Sequence, residues 1–300
     1  MLSEPQTPTQ PRSAPTPPPV EQSAPSDEGE GLWAYCVAAA DASLPAGSPG
    51  VEPDHRLERV EHRGLAALVS KVPLAEYGED ALRENLNNLD WLERVARTHA
   101  AVLEMALAES TIVPLRLCTI YEGYEGVTGM LTTERESFEA ALDRLDGRQE
   151  WGVKVLVDRP ALEAGVRGVS PEVSALEKEV EASSGGGAYM MGRRVEREVA
   201  ALAERKLAEV ANDIHGRLAD WAEDGVLSAP QNRDLSGHEG EMVMNAAYLL
   251  EAEKVARFRE LVEELEERYG KLGIRLELTG PWPAYNFVSP SASAHRVAPE

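Results

Sequence analysis

The sequence predicts an α+β protein of two domains, and three observations carry that assignment. Short apolar runs with strand-like alternation are interleaved with segments whose apolar residues recur at threes and fours. The second half orders these as β-α-β-β-α-β, the split pattern of a modified ferredoxin-like domain. The 300 residues are enough for two ordinary domains, each with its own core. The expected partition is a disordered proline-rich leader (1–31), an N-terminal mixed α+β domain (32–149), a C-terminal ferredoxin-like domain (150–288) with a helical insertion at 159–187, and a disordered tail (289–300).

The first thirty residues hold eight prolines and almost nothing apolar, so they cannot bury enough surface to offset their ordering entropy. Order begins at "LWAYCVAA" (32–39), a strand, followed by a long loop at 41–54. "LERVEHRGLAALVSKV" (57–72) reads as two strands joined by a tight turn at Arg63-Gly64. From Asp80 to Glu109, Leu82, Leu86, Leu89, Ala96, His99, Leu103 and Ala106 keep helical spacing, with a break at Asn87-Asn88. "STIVPLRLCTIY" (110–121) is expected to be a strand, its proline placing it at an edge or bulge. Gly126–Leu145 is expected to form one helix with Thr132 and Thr133 near its start.

The second half opens on "EWGVKVLVD", a strand with Val153, Val155 and Val157 on one side. A partly helical insertion ends in "SSGGG" (183–187), and a long helix follows on Met191, Val195, Val199, Ala203, Leu207, Val210, Ile214, Leu218 and Trp221. "VLSAPQNRD" (226–234) and "EMVMNAAYLL" (241–250) are expected to form a hairpin across Ser236–Gly240. A helix over Glu253–Tyr269 and the strand "GIRLELTG" complete the unit. Two helices would then pack on one face of a four-stranded antiparallel sheet, leaving the other face to be covered or to bind something.

The chain carries 52 acidic and 30 basic residues, a net charge of −22. That repels phosphate backbones and anionic membrane surfaces, so neither nucleic acid nor membrane is an expected partner. No apolar run approaches the ~18 residues of a membrane span, and the N-terminus lacks the basic start and apolar core of a signal peptide, which points to the cytoplasm. Cys36 and Cys118 lie far apart in apolar surroundings and read as buried free thiols.

Motifs for bond-breaking chemistry are lacking. "SSGGGAY" precedes a helix but has no Gly-Lys-Ser/Thr after it. His238, Glu239 and Glu241 fall in an expected solvated turn with no second histidine at ligand spacing, and His99 reads as a hydrogen-bonded core histidine. No catalytic residue, cofactor or metal is therefore expected. Arg116, in an apolar strand context, should meet a carboxylate or backbone carbonyls, with a partner-facing role as the other reading. Met190, Met191, Met242 and Met244 would gather where the long helix meets the hairpin.

The most concentrated signal is "LTGPWPAYNFVSP" (278–290), where Trp282, Tyr285 and Phe287 cluster in a chain with only 5 Trp, 8 Tyr and 3 Phe. Gly280 allows a turn, and Pro281 and Pro283 fix φ on both sides of Trp282. The three aromatics either fold back to seal the sheet or present a rigid anchor to an apolar partner.

"STIVPLRLCTIY", "EWGVKV", "GGGAYMMGRR", "MNAAYLL" and "LTGPWPAYNFV", in this order, resemble the gas vesicle protein F/L family. The resemblance covers about 32–288, and "GPWPxYxF" is its most specific element. The family's Pro-Leu-Arg-Phe-Gly-Thr stretch appears here as Pro114-Leu115-Arg116-Leu117-Cys118-Thr119, and its "PWPPY" as Pro281-Trp282-Pro283-Ala284-Tyr285. The resemblance implies a non-enzymatic accessory protein for assembling gas vesicles, hollow shells built from a small, hydrophobic, β-rich subunit. Its implied partners are that shell subunit and other gas vesicle accessory proteins, with Trp282, Tyr285, Phe287 and Arg116 as candidate contacts. The alternatives are a minor component retained in the finished shell and, more remotely, a small-molecule-binding regulatory module.

Overall fold

The computed structural model describes residues 29–184, 186–229 and 240–288. The proline-rich leader up to residue 28, the tail from 289 and most of the expected hairpin turn lie outside the described residues. Within them the chain forms a mixed α+β structure around two antiparallel sheets.

In the first sheet β1 (Glu30–Ala39) pairs with β3 (Leu65–Pro73), which pairs with β2 (Leu57–His62). Arg63 and Gly64, at φ 48° and 85°, make the predicted β2–β3 turn. Two positive φ values give the turn handedness that matches strand twist. On the other side of β1, the single strand expected at 110–121 is replaced by two two-residue strands, β4 (Val113–Pro114) and β5 (Ile120–Tyr121). Pro114 has no N–H to extend a ladder. After the Leu115 N–H donates to the Tyr35 carbonyl, the chain leaves the sheet in a turn closed by Thr119, whose N–H and hydroxyl both donate to the Arg116 carbonyl.

Three helices follow β3: α1 (Leu74–Tyr77), α2 (Glu79–Asn85) and α3 (Leu89–Glu109). The expected break falls where the Asn88 side chain accepts from the Asp90 and Trp91 N–H groups and caps α3. Leu86 and Leu89, assigned to the buried stripe, flank this break and are exposed, whereas Trp91, Val95, His99, Val102, Leu103 and Ala106 are buried. Where one helix was expected over 126–145 there are two, α4 (Gly123–Thr133) and α5 (Arg135–Leu145), meeting at Glu134. The β-branched pair Thr132-Thr133 ends α4 instead of beginning a helix.

The second sheet holds β6 (Arg148–Val157), β7 (Asp224–Ser228), β8 (Glu241–Glu251) and β9 (Ile274–Trp282), in the order β7-β8-β6-β9 and antiparallel throughout. Between β6 and β7 run α6 (Arg159–Val169), α7 (Pro171–Glu181) and α8 (Gly186–Ala219). Asp158 and Ser170 cap α6 and α7, each followed by a proline in the first turn. Val195 and Val199 of α8 pack with Val173 of α7, and Ala203, Leu207, Val210, Ile214 and Leu218 pack on the sheet. Trp221 lies beyond the end of α8 and is exposed. α9 (Val255–Tyr269) joins α8 on the same face through Phe258, Leu261, Val262 and Leu265. The methionines divide: Met242 and Met244 are buried on β8, Met190 is exposed, and Met191 accepts a hydrogen bond from Ser183.

The other face of the second sheet is covered by the first half of the chain. Ala247 and Leu249 of β8 share one core with Leu32, Ala34 and Val37 of β1 and with Phe138 of α5. Ala284, Phe287 and Val288, which follow β9, close that core. Phe287 is only 3% exposed, so Phe287→Ala should cost ~3–5 kcal/mol through lost burial and the cavity left behind. Urea denaturation checks this, and a loss below about 1 kcal/mol would show that the segment does not seal the core.

Candidate functional site

The C-terminal segment begins where β9 leaves the sheet. Gly280 has φ 132°, and a Cβ there would come within 3.0 Å of the Glu150 carbonyl and 3.1 Å of the Trp151 ring. Only glycine fits that conformation and that gap. The Gly280–Pro281 peptide bond is cis. Two tight turns follow, with the Tyr285 N–H donating to the Pro283 carbonyl at 2.7 Å and the Phe287 N–H to the Ala284 carbonyl at 3.3 Å.

The three aromatics take different positions. Phe287 is buried in the shared core. Tyr285 is 39% exposed, but its hydroxyl donates to the Leu115 carbonyl at 3.1 Å and so ties the segment to the chain just after β4. Trp282 is 44% exposed, and its indole N–H donates to Thr279 Oγ1 at 3.0 Å. Folding back thus accounts for Phe287 and the Tyr285 hydroxyl, while Trp282 keeps a face to solvent. Pro281 is exposed and Pro283 buried.

His99 occupies the floor beside Tyr285. Trp33 Nε1–H donates to its Nδ1 at 3.0 Å. Because an indole nitrogen only donates, the imidazole proton is on Nε2, which donates to the Leu115 carbonyl at 3.1 Å. The ring also stacks on Tyr35 at 5.3 Å between centroids. Burial holds its pKa down at about 4, with the Leu115 bond a smaller opposing influence. An imidazole hydrogen-bonded at both nitrogens and only 3% exposed is the core histidine that the sequence suggested.

Glu150 carries no motif and was not anticipated. It lies on β6 and is only 5% exposed. Its carboxylate accepts from the Asn286 backbone N–H at 3.1 Å and from Asn286 Nδ2 at 2.7 Å. Burial raises its pKa, and the two Asn286 bonds partly offset that.

Arg116 corrects an expectation. Placed on the turn between β4 and β5 instead of in a strand, it is exposed, and its guanidinium has no ion pair or hydrogen bond among the described residues. The turn removes the cost of burial that made a carboxylate partner necessary. Glu241, considered alongside His238 and Glu239, instead forms a two-pronged ion pair with Arg159, at 2.8 and 3.1 Å. His238 and Glu239 lie outside the described residues. Burial pushes the Cys36 thiol up to about 12 and the Cys118 thiol to about 11, which makes both poor nucleophiles. Among the described residues no group of three or more His, Cys, Asp or Glu side chains is placed to hold a metal ion, and no helix is long and apolar enough to cross a membrane.

Trp282 stands between two open clefts. One, of about 350 Å³, is walled by Ala96, Ala100 and Leu103 of α3 and by Pro283. The other, of about 550 Å³, is walled by Leu107 and Ala108 of α3 and by Pro281. Glu104, Glu150 and Trp282 line both. Small apolar side chains, one fixed indole and carboxylates suit this place to recognition.

Comparison with known proteins agrees with the resemblance in the motifs. The family described as "Gas vesicle synthesis protein GvpL/GvpF" matches residues 31–289. Gas vesicle protein L of a Streptomyces species is 36% identical over 249 residues, covering 82% of this chain and 88% of that protein. Gas vesicle protein F of the same strain is 28% identical over 258 residues, covering 85% and 98%. The crystal structure of GvpF from Microcystis aeruginosa superposes with a TM-score of 0.60 at 19% identity, over 86% of this chain and 98% of that one. GvpF from Anabaena gives 0.62 at 20%, over 89% and 100%. At those identities the two structures speak to the fold.

The buried histidine sets a pH dependence. Its folded pKa of about 4 lies below the ordinary 6.5, so its contribution is complete above pH 6.5 and is lost as pH falls towards 4. Relative to His99→Gln, whose amide does not titrate there, the native protein should lose up to ~3 kcal/mol over that window. Glu150 acts with the opposite sign, favouring the fold at low pH, but it is common to both proteins and cancels. Urea titrations of the pair at several pH values provide the check, and parallel stability curves would contradict the tautomer and burial described.

Proposed function

Because the chain belongs to the GvpL/GvpF family of gas vesicle synthesis proteins, we propose that it is a non-enzymatic accessory factor that binds the hydrophobic shell subunit, and other gas vesicle proteins, during nucleation and assembly of the shell in the cytoplasm. A β-rich subunit with apolar surface and unpaired strand edges is an aggregation hazard until it is incorporated. An acidic partner that covers such surface keeps the pair soluble, and the net charge of −22 suits that task. β9 lies at the edge of its sheet and offers a place for strand addition.

The observation that carries this reading is the half-exposed Trp282, fixed between Pro281 and Pro283 on a segment anchored by Tyr285 and Phe287. A preordered aromatic loses little entropy when it meets an apolar partner. We read Tyr285 and Phe287 as the support of that anchor and the exposed Arg116 as a further contact. The strand order of the second sheet, with α8 and α9 on one face, supports a modified ferredoxin-like domain over 150–288 with α6 and α7 as its insertion. Residues 32–149 form the N-terminal α+β domain in this reading.

Co-precipitation of the shell subunit by the purified protein, with light scattering of the subunit alone and in mixture, tests the proposal. Binding and suppressed aggregation are expected, and absence of both contradicts it. Trp282→Ala should weaken that binding about thirtyfold (~2 kcal/mol) while leaving the urea midpoint nearly unchanged. If the protein stays on isolated vesicles through a urea wash, a retained shell component replaces a transient factor.

A further inference from the structure

Glu150 is a buried carboxylate. Its two oxygens meet the two N–H groups of Asn286 and, among the described residues, no Lys, Arg or His. Each oxygen keeps a lone-pair site unused, and an uncompensated charge in such surroundings is costly. Glu150 is nevertheless a wall residue of both clefts beside Trp282. Arg148 lines the larger cleft, but its guanidinium donates to the carbonyls of Arg144 and Asp146 at 3.0 and 3.3 Å. Glu104 lines both clefts and Glu109 the larger one, so the surface is acidic as well as apolar.

We propose that the paired clefts bind a peptide segment of a partner protein in which one arginine is flanked by apolar residues, with the guanidinium on Glu150 beside the Trp282 indole and the apolar neighbours along Ala96, Ala100, Leu103 and Leu107 of α3. The planar guanidinium supplies paired donors for the free lone pairs of a carboxylate and stacks on an indole face. Ala96 and Ala100 put small side chains on the α3 wall of the smaller cleft, whose volume is about 350 Å³. The inference rests on the reading of Trp282 as partner-facing, but not on which protein the partner is.

The test titrates the full chain with the blocked peptide Ala-Leu-Arg-Leu-Ala and with its citrulline counterpart, which keeps the shape and removes the charge. Nitrogen–proton NMR follows the Asn286 side-chain amide and the Trp282 indole. The arginine peptide should bind at least roughly tenfold more tightly than the citrulline peptide, moving both signals. Glu150→Gln keeps an oxygen for Asn286 and should reduce that preference to about twofold or less. Trp282→Ala, which leaves the carboxylate in place, should weaken the arginine peptide at least about fivefold. Equal affinity for the two peptides, no binding of either at millimolar concentration, or a preference that survives Glu150→Gln would each overturn the proposal. An arginine preference without binding of the shell subunit would overturn the assembly reading and leave this one standing.

Discussion

The second sheet cannot close its own core, and the rest of the structure follows from that. Its helices α8 and α9 cover one face, but Ala247 and Leu249 point the other way and would lie bare in water if 150–288 stood alone. They are covered by β1, α4 and α5 from the first half and by Ala284, Phe287 and Val288 from the end of the chain. Residues 284–288 therefore return to the first strand, and one apolar core spans both sheets. Burial at about 25 cal/mol per Å² of apolar surface makes that shared core a principal source of cohesion between the halves.

The same constraint shapes the candidate site. A segment that must seal a core cannot also be mobile, so the aromatic that it does not bury is held in place. Trp282 is pinned by its bond to Thr279, by the glycine turn before it and by the Tyr285 and Phe287 anchors after it. His99, under Trp33 and Tyr35, shares the Leu115 carbonyl with Tyr285 and ties the segment into the first sheet. Glu150 does so from β6 through Asn286. The clefts lie between this segment and α3.

Much of this was legible in the sequence because it depends on local periodicity. The β2–β3 hairpin, the break at Asn87-Asn88, the long helix α8 and the β-α-β-β-α-β order all follow from spacing and from residues with fixed backbone preferences. What escaped depends on contacts distant in sequence. The stretch 110–121 has strand composition, yet Pro114 and a turn at Arg116–Thr119 split it, and the role expected of Arg116 went with the strand. The helix at 126–145 has continuous apolar spacing, which cannot show a change of direction at Glu134. "PWPAYNF" stood out by composition alone, but its division of labour needed the partners of Tyr285 and Phe287. Glu150 left no trace, because its environment is made by Asn286, 136 positions away.

Amide hydrogen exchange of the intact protein tests the shared core most directly. If one core joins the sheets, the most protected amides of β1 and β3 and those of β6 and β8 should open with a common free energy and respond together to Phe287→Ala. Two sets of amides with separate opening energies, only one of them sensitive to that substitution, would show that the halves hold themselves together independently and would contradict the account.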